Sequence, residues 1–218
     1  MDKGTWKKRL QYFWDYQKWY VIMPLIIIFF LVTFISTYIE ENKEPALCIA
    51  MVNSESGLDA GTLFTITYPE ENGIDTEKTP IRLEYGLTHP KVVDEMVASN
   101  QSQMALIYQY QGILLNGTLD VTLATTWVVE EYEKADAYCD LRDILPKTYL
   151  EKMENRLFYC KNKDGQEVPV GIMVDDLKIL GEFAEEGKPV FTVSAYSNRK
   201  TEAVEFIIWV IEHEEGLD

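Results

Sequence analysis

The chain has little of the chemistry on which most enzymes depend. Its two histidines, His89 and His213, lie far apart in a chain of 218 residues. No serine-centred nucleophile elbow, phosphate-binding glycine loop or metal-spaced cluster of His and Cys occurs in the sequence. Adjacent acids such as Asp175 and Asp176 are typical of solvated helix starts in so acidic a chain. The sequence therefore predicts a protein that is not an enzyme and that uses no cofactor and no metal.

Cysteine is also scarce, with three residues in the whole chain, Cys48, Cys139 and Cys160. Three cysteines are too few for a disulfide scaffold. An exported domain could form one bridge, between Cys139 and Cys160, which would leave Cys48 buried. The alternative is three buried free thiols. Both interpretations remain open from the sequence.

Positive charge is in short supply. The chain has 20 Lys and Arg residues against 36 Asp and Glu residues, a formal net charge of −16. A surface this acidic repels the phosphate backbone of DNA and RNA. We therefore exclude nucleic acid as a partner.

One long hydrophobic run is present, at residues 20–39. It contains no charged residue, and 13 of its residues are Val, Ile, Leu or Phe. About 20 helical residues at ~1.5 Å each span the ~30 Å hydrocarbon core of a bilayer. The run predicts a single transmembrane helix, and its length and the lack of a small-x-small site after it favour a retained anchor over a cleaved signal peptide.

The flanks of this run predict its orientation. Five basic residues precede it, whereas Glu40, Glu41 and Glu44 follow it. The positive-inside rule then places the N-terminus in the cytoplasm and the rest of the chain outside the cell, in a single-pass protein of the cell membrane. Residues 1–19 combine basic and aromatic residues, which predicts an amphipathic segment on the inner leaflet in contact with membrane lipid. Docking of a membrane partner is the alternative role for this leader.

After a charged linker at residues 40–45, residues 46–218 form one domain of α/β class. Apolar runs and β-branched alternation predict strands at residues 46–52, 61–68, 81–85, 119–126, 157–160, 168–174 and 189–195. Helical periodicity predicts helices at residues 90–114 with a break near 99–103, and at 127–135, 141–145, 148–155, 175–183 and 199–212. Because strands alternate with helices from residue 81 onward, we expect a largely parallel sheet.

Ligands of such sheets gather beyond the carboxyl ends of the strands. The polar and aromatic residues at these ends form the predicted ligand site: Asn53, Ser54, Tyr85, Thr88, Thr125, Thr126, Trp127, Tyr196 and Ser197. His89 and Asn198 lie beside them in the sequence. Hydroxyls, amides and aromatic rings would suit a small polar organic solute. The alternative is that turns alone supply these polar residues.

Three consecutive segments carry a family resemblance: NGTLDVTLATTW (116–127), VVEEYEKADA (128–137) and CDLRDILP (139–146). Together with the strand and helix at 190–211, they resemble the bacterial extracellular solute-binding proteins of ABC importers. The leader resembles that of short membrane-anchored proteins of Gram-positive anaerobes. The resemblance implies one lobe of a periplasmic-binding-protein-like fold, an ABC transporter as a membrane partner, and Trp127 as a ligand-stacking ring.

The sequence thus predicts a membrane-anchored extracellular binding module that captures or senses a small polar solute beside a transporter. The alternative is an accessory protein that binds no ligand and recognises another protein of a membrane complex.

Overall fold

A computed structural model describes residues 6, 11–14, 18–41, 43–54, 58–91, 100–180 and 187–215. The chain divides into two compact units, residues 1–44 and residues 45–218. Most of the leader predicted at residues 1–19 lies outside the described residues.

The first unit contains one long helix, α1 (Lys18–Glu41). Its apolar side chains face outward along its length, and Phe29, Phe30 and Phe34 are all exposed. Within the described residues, which leave out the side chains at positions 21 and 39, no helix is both long enough and apolar enough to cross a membrane.

The second unit is built on a six-stranded sheet. Its strands are β1 (Leu47–Val52), β2 (Ile81–Leu87), β3 (Val121–Thr125), β4 (Leu157–Lys161), β5 (Glu167–Met173) and β6 (Pro189–Val193), in the order β2-β1-β3-β6-β5-β4. β1 pairs in parallel with β2 and with β3. The other three pairings, β3 with β6, β6 with β5 and β5 with β4, are antiparallel. The unit is therefore of mixed α/β class, and the prediction of a largely parallel sheet was wrong.

The remaining helices connect the strands. They are α2 (Leu58–Thr62), α3 (Tyr68–Glu71), α4 (Gln101–Leu115), α5 (Thr126–Glu133), α6 (Leu141–Ile144), α7 (Lys147–Lys152) and α8 (Lys200–Glu215). The helices predicted from residues 127, 141, 148 and 199 are confirmed. Asn100 caps α4 by accepting hydrogen bonds from the amides of Ser102 and Gln103, while the predicted helical residues 92–99 lie outside the described residues.

The strand predicted at residues 61–68 was wrong, because this segment is helical. α2 continues through a π-helix (Leu63–Thr67) into α3. Phe64 is fully buried with its ring centroid 5.0 Å from that of Phe206, and Tyr68 packs on the same ring. A helix places Leu63, Phe64 and Tyr68 together on one buried face, whereas a strand would send Leu63 to the face opposite Phe64 and Tyr68. Core packing therefore overrides the β propensity of this segment.

Both faces of the sheet are covered, so the unit has three layers. Leu47, Ile49 and Met51 of β1 belong to the core shared with α2, α3 and α8. Cys48, Ala50 and Val52 belong to the core shared with α4 and α5. β1 reads as a continuous apolar run because both of its faces are buried.

Several local predictions are confirmed. β4 and β5 form a hairpin around Asp164 and Gly165, and Gly165 has a φ of +77°. By contrast, the helix predicted at 175–183 is wrong over its described part, which contains a turn at residues 175–176 and a 3₁₀ turn (Lys178–Leu180); residues 181–186 lie outside the described residues. The three cysteines are free and buried, as in the second of the two interpretations.

Asp120, just before β3, is a fully buried acid that joins three parts of the chain. Its carboxylate accepts hydrogen bonds from the backbone N–H of Cys48 at 2.8 Å and from the hydroxyl of Ser197 at 2.6 Å. It also pairs with the Arg199 guanidinium, at 3.0 Å from Nε. The carboxylate therefore connects β1, the start of β3 and the segment between β6 and α8.

We expect Asp120→Ala to destabilise the fold strongly. Removing one partner of a buried ion pair typically costs about 3–5 kcal/mol. Here the Cys48 amide and the Ser197 hydroxyl also lose the buried carboxylate that accepts from both of them. Urea unfolding followed by circular dichroism would measure the loss. Asp175→Ala is the matched control, since its pair with Lys188 is on the surface and should contribute at most about 1 kcal/mol. Equal unfolding midpoints for the two variants would contradict this account of Asp120.

Candidate functional site

The carboxyl ends of β1 and β2 are joined by a pair of hydrogen bonds. The Asn53 side-chain amide donates to the His89 carbonyl at 2.9 Å, and the His89 backbone N–H donates to Asn53 Oδ1 at 2.8 Å. Asn53 is buried and has a φ of +61°, a conformation that Asn tolerates better than most residues. The predicted residue Asn53 is therefore fully engaged in positioning His89.

His89 in turn contacts helix α5, which follows β3. Its ring centroid lies 5.4 Å from that of Trp127 and 5.5 Å from that of Tyr132. His89 Nδ1 lies 3.1 Å from the Pro90 carbonyl oxygen, which can only accept, so this nitrogen carries the proton. The three rings form a continuous aromatic surface at the edge where the parallel strands end.

A cavity of about 650 Å³ opens beside these rings, between α4 and α5. Its walls are lined by His89, Pro90, Lys91, Met104, Ile107, Tyr108, Gln111, Leu115, Trp127, Glu130, Glu131, Tyr132, Lys134 and Ala135. Pockets of about 300–1,000 Å³ with mostly apolar and aromatic walls are the usual sites of small-molecule binding. The volume and the lining therefore make this cavity the candidate site.

The α4 wall is mostly apolar. Met104, Tyr108 and Leu115 recur at intervals of four and seven residues, so they share the side of α4 that lines the cavity. Tyr108 is 62% exposed and Leu115 is 48% exposed. Large side chains with this much solvent exposure on one side of a helix indicate a surface that can bind another molecule.

The α5 wall is aromatic and charged. One side of this helix carries four lining residues at helical spacing: Trp127, Glu130, Glu131 and Lys134. Lys134 Nζ lies 2.5 Å from Glu131 Oε2, so these two charges largely neutralise each other. Glu130 is exposed and adds a carboxylate one turn from Trp127.

Four buried polar atoms lie at this end of the sheet and have no hydrogen-bond partner among the described residues. They are Ser54 Oγ, Thr125 Oγ1, Trp127 Nε1 and Tyr132 Oη. Most buried polar groups in proteins are hydrogen-bonded, and each exception needs an explanation. Their concentration around the cavity favours the binding of a polar molecule near this edge.

The structure does not bring all nine predicted site residues together. Tyr85 is 72% exposed and Thr88 is also exposed, and the cavity lining contains neither of them. Tyr196 and Ser197 follow β6, which is antiparallel to β3, with Val121 paired to Val193 and Thr125 to Pro189. The end of β6 therefore lies at the opposite edge of the sheet, where Ser197 binds Asp120.

Of the nine predicted residues, the cavity lining includes Trp127. Asn53, Ser54, Thr125 and Thr126 lie at the same edge, where they position the segments that carry the lining residues. Thr126 donates its backbone N–H to the Lys188 carbonyl at 3.0 Å.

Several lining residues were not predicted from the sequence. Tyr108 and Tyr132 sit on helices, and their spacing gave no sign that one would be exposed and the other nine-tenths buried. Gly187, which packs behind Trp127 and is not part of the lining, was also not predicted. A Cβ on Gly187, whose φ is +140°, would lie 3.2 Å from the Thr125 Cβ and 3.4 Å from the Trp127 ring, so glycine permits this close approach.

Metal ligands are not gathered in the part of the chain that the structure describes. No group of three or more His, Cys, Asp or Glu side chains there is arranged to hold a metal ion.

Glu133, next to Tyr132 on α5, is a buried acid without a cation beside it in the described contacts. It is 2% exposed, and its carboxylate accepts a hydrogen bond from the Tyr138 backbone N–H at 3.2 Å. Burial raises its pKa to about 7, with a further contribution from the nearby charges of Asp136 and Asp140. Its ionisation therefore opposes folding at neutral pH.

No known protein family, curated protein or solved structure matches this chain.

We expect the fold to lose stability as the pH rises from about 4.5 to about 7. The pKa of Glu133 is 4.5 in an ordinary environment and about 7 in the folded state, so the folded state holds the extra proton in this window. The loss should be roughly 2–3 kcal/mol. Unfolding free energies measured by urea titration at several pH values would show it.

Glu133→Gln should remove this pH dependence, because the Gln side chain still accepts from Tyr138 and never ionises. Glu130→Gln on the exposed side of the same helix is the control and should keep the wild-type slope. If the Glu133→Gln and wild-type slopes were the same, Glu133 would not be the group responsible.

Proposed function

We propose that this protein is a membrane-anchored binding module that captures or senses a small polar solute in the cavity between α4 and α5. The observation that carries the proposal is the cavity itself, at the carboxyl edge of β1, β2 and β3. In open α/β sheets this edge is where ligands usually bind.

The lining supports a binding role rather than catalysis. Aromatic rings from both walls supply contact area, and a few charged and amide groups supply orientation. His89, the residue of this cavity most suited to proton transfer, has its Nδ1 engaged by a backbone carbonyl and its ring packed between two aromatic rings. This constrained histidine supports a non-enzymatic binding protein.

The membrane anchor is part of the proposal and rests on residues 20–39. They contain no charge, and the outward-facing Phe29, Phe30 and Phe34 are stable in lipid rather than in water. Basic residues precede the run and acidic residues follow it, which supports a cytoplasmic N-terminus and an extracellular folded unit.

A relationship to the solute-binding proteins of ABC importers is also proposed. It is supported by the segments at 116–127 and 139–146 and by the mixed α/β sheet. On this proposal Trp127 stacks on the solute, and the partner in the membrane is a transporter.

The second candidate is an accessory protein that docks on another protein and binds no solute. The observation in its favour is the exposure of Tyr108 and Leu115 on α4. An amphipathic helix of a partner could pack against such an apolar wall. The two candidates make different predictions for a solute screen.

The solute-binding proposal predicts that at least one compound of a metabolite panel binds the full-length chain saturably. Trp127→Ala should weaken this binding at least tenfold, about 1.4 kcal/mol, because the aromatic ring lines the α5 wall and is lost in the variant. Isothermal titration calorimetry of the protein in detergent would measure both affinities.

Trp209→Phe is the matched control for this experiment. Trp209 packs on Tyr68 and His213 on the opposite face of the sheet, so its loss should leave solute affinity unchanged. Binding that survived in Trp127→Ala would place the solute elsewhere. A panel without any binder, combined with co-purification of a membrane protein, would support the accessory candidate.

The anchor proposal predicts that protease added to intact cells digests the folded unit and leaves residues 1–19 protected. Epitope tags at the two ends of the chain, followed by immunoblotting, would distinguish the two regions. If the C-terminal tag were digested only after the cells were lysed, the topology would be the opposite of the one proposed.

A further inference from the structure

We propose that the solute is a small organic cation, whose ammonium group binds between the aromatic rings of the cavity and the carboxylate of Glu130. This inference rests on the proposed function, because it names the chemical class of ligand for the same cavity.

The first argument is the density of aromatic rings. Tyr108 lines the α4 wall, Trp127 and Tyr132 line the α5 wall, and the His89 ring lies between the latter two. The faces of Trp and Tyr rings carry partial negative charge and attract ammonium groups within about 6 Å. Each such contact contributes roughly 0.5–2 kcal/mol, depending on how far the cation is removed from water.

The second argument is the arrangement of charges around the rings. The close ion pair of Glu131 and Lys134 leaves little net charge at that end of the cavity. Glu130 stands on the same face of α5, three residues after Trp127, where a cation that contacts the indole can also reach a carboxylate. A carboxylate beside aromatic rings is a better complement to a cation than to an anion or a neutral solute.

The third argument is the charge of the whole protein. A net charge of −16 raises the local concentration of cations at the surface and repels anions. Among the described residues of the lining, Lys91 is the one positive side chain that the ion pair does not include, and it is exposed to solvent. The positive charge of Lys91 opposes cation binding. Removing it should therefore strengthen binding, whereas removing the charge of Glu130 should weaken it.

The experiment compares choline with 3,3-dimethylbutan-1-ol, which has the same shape and no charge. Calorimetry on the full-length chain in detergent should show choline binding at least tenfold tighter than its neutral isostere. Glu130→Gln should weaken choline binding several-fold, and Lys91→Gln should strengthen it. Glu151→Gln, an exposed acid on α7 outside the lining, is the control and should change nothing.

Equal affinity for choline and the neutral alcohol would overturn the inference, as would an unchanged affinity in Glu130→Gln with wild-type circular dichroism. If the cation does not bind but an anionic or neutral compound binds and depends on Trp127, the proposed function survives and this inference fails. If no compound of any class binds, both fail.

Discussion

The buried carboxylate of Asp120 is the interaction on which the folded unit depends most. It brings a backbone amide of β1, a hydroxyl after β6 and a guanidinium at the start of α8 to one point. Backbone bonds reinforce the same junction, because the Asp120 amide donates to the Cys48 carbonyl and the Ser194 amide donates to the Asp120 carbonyl. Without this carboxylate, the buried Cys48 amide and the Ser197 hydroxyl would lose their hydrogen-bond acceptor.

Because of this junction, one end of the sheet stabilises the fold while the other end is open to form the candidate site. The antiparallel β6 lies beside β3 and carries the chain back to the edge where β3 begins, so stabilising contacts collect there. The opposite edge receives the ends of three parallel strands. Asn53 joins two of them with amide hydrogen bonds, and the rings of His89 and Trp127 join the third.

Local sequence signals predicted the parts of this fold that depend on neighbouring residues. The apolar run of β1 and the hairpin at Asp164 and Gly165 are examples, because burial on both faces and turn geometry are visible in a short window. The strand prediction for residues 61–68 was wrong because the same sequence also fits a helix. The helix is favoured by the packing of Phe64 and Tyr68 on the Phe206 ring. The prediction of a largely parallel sheet was wrong for a similar reason. The direction of β6 is decided by contacts between residues far apart in the chain. The same error grouped Tyr196 and Ser197 with the other predicted site residues, whereas the structure places them at the opposite edge of the sheet.

The cavity was the least predictable feature, because most of its walls are helix faces and, among the described lining residues, only residues 89–91 lie in the loop after a strand. Met104 and Ile107 belong to one apolar periodicity, and the sequence cannot tell which members of that stripe meet the sheet and which remain open. Trp127 was predictable because it directly follows a buried strand. β3 carries Asp120 immediately before it and Trp127 two residues after it, so roughly 16 Å of extended chain separates the stabilising junction from the cavity. A strand buried on both faces holds that separation rigidly, so stability and binding can be altered independently in this protein.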